Sequence, residues 1–503
     1  MEINVLEWLE KSAEKCDNKI AYSDGENSLT FSQVKDHAQR IGSALLERGA
    51  CGEPVAVFSG RNVLTVAAFL GVVYSGCAYA PIDSKLPLAR IEKIMDTLSP
   101  ALILTDGENR DFVKELGFDE GKIVLIEEAV GHGIDCEKLG RVRRFSTEND
   151  PLYVIFTSGS TGNPKGVMTS HHSLMCYIEA YTSVMGITDS DILGNQSPLD
   201  YIAAIRDIYI PLLCGASTVI IPKVCFSSPA KLFDFMNEKR VTSVGWSVSA
   251  LTVPVSLGAF EHGRPEFLKK ICFSGSVMPG KCLKAWQENL PDALFINQYG
   301  PTEATASCTY YVVTEKADEN TVLPIGLPYK NYKVFLLNED GTATKQGEEG
   351  EICVSGPILA LGYYNDPERT AASFIQNPLN KAYRETIYKT GDIGVMRGDG
   401  ILEFHGRTDR QIKHLGHRVE LDEIELNAAK VDGVEECSAV YNKEKETIWL
   451  FYTGDATVKE IAVELRKYLP GFMVPRKIKK LEEIPRLPNG KIDMFLLKQY
   501  SAN

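Results

Sequence analysis

Along residues 1–400, apolar runs of strand length alternate with segments of helical periodicity. That alternation restricts the fold more than any other feature of the sequence. PVAVFS (54–59), ALILTD (101–106), KIVLIE (122–127), LYVIFTSG (152–159), STVIIP (217–222) and KKICFSG (269–275) read as strands. SQVKDHAQRIGSALLERG (32–49) and SPAKLFDFMNEKR (228–240) carry apolar residues at helical spacing. Strands joined through helices pair in parallel, which predicts a large α/β body. From about residue 320 the strands shorten and turn signals appear (YKVFLLNEDG, GEICVSG, GILEFHG), predicting an antiparallel or barrel-like β-rich subdomain. After GRTDRQIKHLGHR (406–418), a helix–strand–strand–helix tail predicts a small α+β domain. The expected division is a core over 1–408 and a small domain over 409–503.

Composition narrows the function classes. The chain has 503 residues, 44% of them hydrophobic, enough for a sizeable core. Its 54 basic against 67 acidic residues give −13, so it lacks the electrostatic footprint of a nucleic-acid binder. Twelve cysteines occur without a C-x-x-C pair or Cys/His spacing for zinc, as expected of reduced thiols in a cytoplasmic protein. Acidic residues near the start, with no long apolar run behind them, do not suit a signal peptide. Residues Val63 to Ile82 carry no charge, but Gly71, Ser75, Gly76 and Pro81 punctuate them. A buried helix, a glycine stop and a strand fit that pattern better than a membrane span.

The segment with the clearest chemistry is YVIFTSGSTGNPKGVM (153–168). A hydrophobic strand runs into Thr157, Ser158, Gly159, Ser160, Thr161, Gly162, Asn163, Pro164, Lys165 and Gly166. Glycines permit close backbone approach, hydroxyls and amides donate to phosphate oxygens, and the lysine adds a mobile positive charge. The loop suits the β,γ-phosphates of a nucleotide, although it lacks the G-x-x-x-x-G-K-[ST] spacing of a Walker loop. A flexible surface turn would use the same residue types.

This loop resembles the phosphate-binding signature of the adenylate-forming superfamily, which includes acyl-CoA synthetases, luciferases and nonribosomal-peptide adenylation domains. The resemblance covers nearly the whole chain. LTFSQV (29–34), GVVYSGCAYAPID (71–83), NQYGPTEAT (297–305), GEICVSGPILALGYYNDPERT (350–370), YKTGDIG (388–394), GRTDRQIKHLGHRVELDEIE (406–425) and PNGKID (488–493) follow in family order. Their variants are most similar to amino-acid adenylation domains and D-alanine–carrier protein ligases.

The resemblance implies ATP and Mg²⁺ as cofactors and a two-step reaction. A carboxylate attacks the α-phosphate, and a thiol then attacks the acyl-adenylate. Lys491 matches the catalytic lysine that stabilises charge in the first step, and Glu303 matches the Mg²⁺-holding glutamate. Thr157 and Thr302 match phosphate-contacting hydroxyls, within a nucleotide site that also takes in Gly300. Tyr299 would give adenine an aromatic face, with Asn297 and Gly275 at its edge. Asp392 matches the carboxylate that accepts the ribose hydroxyls, and Arg407 should reach the ribose or phosphates. Asp409 stands at the family's hinge, making 409–503 a mobile domain that brings Lys491 to the site. Each residue has a plainer reading: Asp392 as a turn residue, Glu303 as a helix cap, His171 and His172 as caps without a catalytic role.

The implied partner is a separate carrier protein with a phosphopantetheine arm, because no carrier segment follows Lys491. Free CoA as acceptor, and a catalytically silent nucleotide- or acid-binding protein, remain the alternatives. Arg476, Lys477, Lys479 and Lys480 offer a basic surface to an acidic carrier, or are simply solvated charges. The acid pocket would comprise Tyr201, Ile202, Ala203, Arg206, Gly245, Cys272, Ser274, Gln298, Ala306 and Ser307. Ile202 stands where amino-acid-activating relatives place the aspartate that pairs with the α-ammonium, with Asp200 two residues earlier. An ammonium buried against isoleucine lacks its counter-charge, so the expected acid is not an ordinary apolar α-amino acid. Arg206 suits hydroxyl, carbonyl or second carboxylate groups; its plainer reading is a surface residue, or one ion-paired with Asp200 or Asp207.

Overall fold

The computed structural model describes residues 2–159, 161–487 and 492–502. Lys491 and Ser160 lie outside the described residues. The chain divides into two compact units. One comprises Met1–Asp83, Leu98–Ile155 and Val167–Gly406, the other Ser84–Thr97, Phe156–Gly166 and Arg407–Asn503.

The first unit is the expected α/β body. Its larger sheet has a parallel centre: Leu294–Tyr299, Lys270–Ser274, Ser243–Ser247, Ile192–Asn195, Ser217–Ile220 and Ile20–Ser23, in that order. Antiparallel strands Thr309–Val312 and Ser28–Thr30 flank it. Pro151–Thr157, Tyr79–Pro81, Val55–Phe58, Leu102–Thr105 and Ile123–Leu125 form the parallel part of a second sheet. Within these strands every residue of Val55–Phe58 and Leu102–Thr105 is buried, as both-face coverage by helices requires. The KIVLIE run ends sooner than expected, its last residues opening a short helix at Ile126–Ala129. The β-rich region is an antiparallel sheet of Lys333–Leu337, Glu349–Ser355, Thr386–Met396 and Phe374–Gln376, with Leu402–Arg407 pairing on Thr386–Met396.

The uncharged segment resolves as expected into the helix Val63–Tyr74 and the strand Tyr79–Pro81. Every helix residue but Leu64 is buried, and the Asn62 side chain caps the start by accepting from the Thr65 amide. Each fully buried valine, leucine or phenylalanine contributes about 1.5–3 kcal/mol, so the segment serves as core. Among the described residues, no helix is long and apolar enough to cross a membrane.

The second unit contains the hairpin Gln411–His414/His417–Glu420 and a sheet of Val434–Asn442, Thr447–Gly454 and Lys477–Lys480. Helices Leu421–Ala428, Val458–Tyr468 and Met494–Ala502 accompany them. A capping box of Thr457 and Glu460 starts the middle helix. The edge strand Lys477–Lys480 and the last helix were not expected from the sequence, because neither has a clean apolar period. Segments 84–97 and 156–166 join this unit through specific bonds. Arg90 and Glu423 form a buried ion pair at 2.6 Å, Lys93 Nζ donates to the Gly162 carbonyl at 2.9 Å, and Ser158 Oγ donates to the Arg418 carbonyl at 2.8 Å.

His171 and His172 are helix residues rather than caps: Ser170 caps the helix His171–Met185, its hydroxyl accepting from the Ser173 amide. The serine oxygen reaches the exposed amide, whereas the imidazole of His171 turns inward and accepts from the Val5 amide at 3.4 Å. Burial pulls the His171 pKa down to about 4 from 6.5. A depressed pKa favours the neutral form, so its stabilising effect is full above about pH 6.5 and is lost as pH falls toward 4. The loss amounts to about 3 kcal/mol, taking about 1.4 kcal/mol per pKa unit. Urea midpoints measured from pH 7 to 4 should therefore fall less steeply for His171→Gln than for the wild type. Parallel curves would remove His171 as the source.

Candidate active site

In the second unit the phosphate-type loop sits between the ends of two strands, Pro151–Thr157 and Lys165–Ser170. The Gly162 amide donates to the Gly159 carbonyl at 2.9 Å, and Gly162 takes a φ of +76°, which glycine adopts without strain. Thr157 Oγ1 is buried and has no hydrogen-bond partner among the described residues. A buried hydroxyl left unpaired is costly, and a phosphate oxygen is an acceptor that would satisfy it. Lys165, expected to be mobile, is only 8% exposed. It opens a strand, and its charge acts with that of Arg418 on Glu420, whose carboxyl burial pushes up. Arg407 forks onto Asp409, with Nε and Nη2 each 2.6 Å from a carboxylate oxygen. Burial raises the Asp409 pKa, but this pair more than offsets that and holds it below the usual value. The expected ribose-reaching arginine and hinge aspartate are thus direct partners.

In the first unit one strand and the turn after it organise most of the predicted residues. Leu294–Tyr299 carries Asn297, Gln298 and Tyr299, and the chain then reverses over Gly300–Ser307. A Cβ on Gly300 would lie 2.5 Å from the Ser307 Cα, so only glycine fits that crossing. Thr305 and Ala306 hold φ of +45° and +75°, costly for residues with side chains and worth about 1–3 kcal/mol each. The Thr305 hydroxyl secures the turn on the Ile358 carbonyl at 2.7 Å. Sequence patterning did not reveal this strain, since neither residue type signals a left-handed backbone.

That turn buries Thr302 and Glu303. Glu303 is fully buried and accepts from the Tyr363 hydroxyl at 2.8 Å, while its carbonyl accepts from the Ala360 amide at 2.9 Å. Tyr363 was missed, although it lies in the quoted run GYYNDPERT. A buried carboxylate of this kind fits Mg²⁺, which takes one or two carboxylates and otherwise uses waters and substrate phosphates. The Tyr299 hydroxyl donates to Asp392, and the Asp392 amide donates to Thr390 Oγ1 at 3.0 Å. Burial, and then the Asp392 charge, push the phenol well above its usual pKa, so it stays a donor. Phe404 lies against Tyr299 at 6.2 Å between ring centroids. Asn297 Nδ2 donates to the Pro324 carbonyl at 2.8 Å, and Gly275 follows the neighbouring strand at φ +100°.

The expected acid-pocket residues also converge. Arg206, 1% exposed, donates from Nη1 to Gln298 Oε1 and from Nη2 to the Gly245 carbonyl, both at 3.1 Å. Its Nε donates to the Ala203 carbonyl at 3.3 Å, and Cys272 Sγ lies 3.9 Å from Nη1. Ser307 Oγ donates to Gln298 Oε1 at 3.3 Å. Ser274 shares the face of Cys272 on the strand Lys270–Ser274, and Ala306 precedes Ser307. Tyr201 and Ile202 lead into the short helical turn before Arg206. Neither plainer reading of Arg206 holds: it is not at the surface, and the groups it donates to are neutral acceptors. Asp207 instead accepts from Asn195 Nδ2 at 2.7 Å, and burial pushes its carboxyl up to about 6. Asp200, beside Asp83, is likewise pushed up to about 6 by burial and by that like charge.

Three tyrosines complete the surroundings of Arg206 and were not foreseen. Tyr181 lies 5.4 Å from the guanidinium, and Tyr177 stands one helical turn before it. Tyr329 packs edge-on against Tyr177. The spacing of Tyr177 and Tyr181 along His171–Met185 marks a helix face but says nothing about a cation. Gly245 leaves room for the guanidinium: an added Cβ would meet the Tyr181 hydroxyl at 3.0 Å and Arg206 Cζ at 3.3 Å. Gly245→Ala and Gly300→Ala should each lower stability by about 1–3 kcal/mol through overpacking. Gly300→Ala should cost more, because backbone cannot step aside as a side-chain tip can. Equal urea midpoints for the two variants would contradict that ranking.

Comparison with known proteins places this geometry in context. Tyrocidine synthase 1 of Brevibacillus parabrevis is 30% identical over 99% of the chain, which spans only 45% of that relative's length. D-alanine–D-alanyl carrier protein ligase of Bacillus cytotoxicus is 30% identical, with 98% of each chain covered. The Vibrio cholerae adenylation domain AlmE, solved with glycyl-adenosine-5'-phosphate, superposes with a TM-score of 0.85 at 22% identity, covering 100% of this chain and 98% of that one. That last likeness shows the fold, a large N-terminal α/β body with a small C-terminal domain. A family model for AMP-binding enzymes matches residues 9–364, and the chain belongs to this family of adenylate-forming enzymes.

Proposed function

We propose that the protein activates a small carboxylic acid with Mg·ATP and transfers the acyl group to the phosphopantetheine thiol of a separate carrier protein. The observation that carries this reading is the buried Glu303 carboxylate on its strained turn, a costly arrangement with no evident packing purpose. The unpaired Thr157 hydroxyl supports it, as does the similarity to D-alanine–D-alanyl carrier protein ligases over nearly their whole length.

In the first half-reaction a carboxylate oxygen of the acid attacks the α-phosphorus of ATP, and the bond to pyrophosphate breaks. In the second, the thiol sulfur attacks the acyl carbon, the bond to AMP breaks, and the thiol proton passes to solvent. Neither step needs a protein nucleophile, so catalysis rests on positioning and on stabilising developing charge. Glu303 would hold Mg²⁺, which screens the phosphate charges when bound. Asp392 would accept from the ribose hydroxyls, with Tyr299 orienting it. Lys491 would stabilise the α-phosphate in the first step, and Asp409 would act as hinge for the domain over 409–503.

Two experiments test this reading. Pyrophosphate exchange into ATP should require both Mg²⁺ and an acid, and Lys491→Ala should slow it by about a hundred- to a thousandfold while largely sparing thiol attack on supplied acyl-adenylate. Equal loss in both half-reactions would contradict the role of Lys491. Carrier loading should exceed CoA acylation in kcat/KM. Arg476, Lys477, Lys479 and Lys480 are exposed on and beside the edge strand Lys477–Lys480, where they can steer an acidic partner. Neutralising them should slow carrier loading and weaken its salt dependence, and a preference for CoA would make the protein an acyl-CoA ligase.

A further inference from the structure

The surroundings of Arg206 extend this reading, on which the following rests, to the chemical class of the acid. A guanidinium has five N–H donors. Four bonds account for four of them: Nε to Ala203, Nη1 to Gln298 and to Cys272, and Nη2 to Gly245. The second Nη2 hydrogen makes no further bond of good geometry among the described residues. Among the described residues the buried Tyr177 hydroxyl makes no hydrogen bond of good geometry; the Arg206 and Ser307 side chains act on its oxygen, and after burial itself the Arg206 charge is the strongest influence on it. The fifth guanidinium hydrogen and the Tyr177 O–H therefore lie together in the core, neither in a well-formed hydrogen bond.

Charge is unmatched at the same place. The acceptors around Arg206 are two carbonyls, an amide oxygen and a thiol, which satisfy hydrogen bonds without neutralising a cation. The buried carboxylate that acts on Arg206, Asp207, is bonded to Asn195 and lies in the field of two guanidiniums, Arg206 and Arg61. Arg61 spends its donors on Asn195, Ser197 and Ile221. Two cations thus face one anion. A planar anion with two oxygens would meet the charge and both of these donors at once. Small Ala203, whose carbonyl accepts from Arg206, and apolar Ile202 just before it suit a hydrocarbon segment.

We propose that Arg206 and Tyr177 receive a second carboxylate of the substrate, which is therefore a dicarboxylic acid activated at its other end. Pyrophosphate exchange with the full chain tests this, using linear α,ω-dicarboxylic acids from succinate to suberate. Each is assayed beside its monoamide and the monocarboxylic acid of equal length, and the standard amino acids complete the panel. A dicarboxylate should exceed its neutral counterparts by about a hundredfold or more in kcat/KM. Arg206→Met should remove most of that preference, and Arg206→Lys should keep part of it. Tyr177→Phe, which deletes only the hydroxyl, should lower kcat/KM about tenfold more for the dicarboxylate than for the neutral acids. Should Arg206→Met fail to fold, the wild-type ranking and Tyr177→Phe decide alone. Preference for a monoamide, a monocarboxylic acid or an amino acid would overturn the inference while leaving adenylation intact. A folded Arg206→Met that keeps the dicarboxylate preference would assign Arg206 to structure alone. No exchange with any acid, despite normal ATP binding, would overturn the adenylation reading and this inference together.

Discussion

The crossing at Gly300 is the constraint on which the candidate site depends. The chain leaves the parallel sheet at Tyr299 and returns so closely that a methyl group cannot stand between Gly300 and Ser307. The Cys308 amide bonds to the Tyr299 carbonyl at 2.8 Å and resumes pairing in the antiparallel strand Thr309–Val312. Between these points Thr305 and Ala306 must take left-handed backbones, and the Thr305 bond to Ile358 holds them there. Glu303 is buried on that turn, where the Tyr363 hydroxyl donates to it. Asn297, Gln298, Tyr299, Thr302, Glu303 and Ser307 all inherit their positions from this reversal.

A second dependence is electrostatic. Arg206 is buried among tyrosines, carbonyls and one glutamine, and removing a guanidinium from water without an adjacent anion costs on the order of several kcal/mol. The parallel sheet bears that cost through its burial of apolar area, and Gly245 admits the guanidinium by having no side chain. Tyr299 and Asp392 show the opposite arrangement, in which a buried carboxylate receives a phenol O–H directly. The Arg206 cation, by contrast, bonds only to neutral acceptors.

Much of the fold was legible because its elements follow simple periods. Val55–Phe58, Leu102–Thr105, Lys270–Ser274 and the helix Val63–Tyr74 were visible as apolar runs bounded by turn residues. The edge strand Lys477–Lys480 was not, since an exposed lysine-rich strand has no apolar face to betray it. The second unit is discontinuous in sequence, with 84–97 and 156–166 joined to 407–503. Bonds such as Arg90–Glu423 and Ser158–Arg418 link residues hundreds of positions apart, which local patterning cannot register.

The sequence by itself determined the class: an α/β body, the phosphate-type loop, and a series of motifs marking an adenylate-forming enzyme. These are properties of short contiguous segments, where residue type and spacing carry the physics. Only the tertiary structure decided that Thr157 has no partner among the described residues, that Tyr363 holds Glu303, that Arg407 and Asp409 are paired, and that Arg206 lies among tyrosines and bonds only to neutral acceptors. Whether a charge is neutralised or a donor satisfied depends on what other segments bring within about 3 Å of it, and no spacing along the chain specifies that.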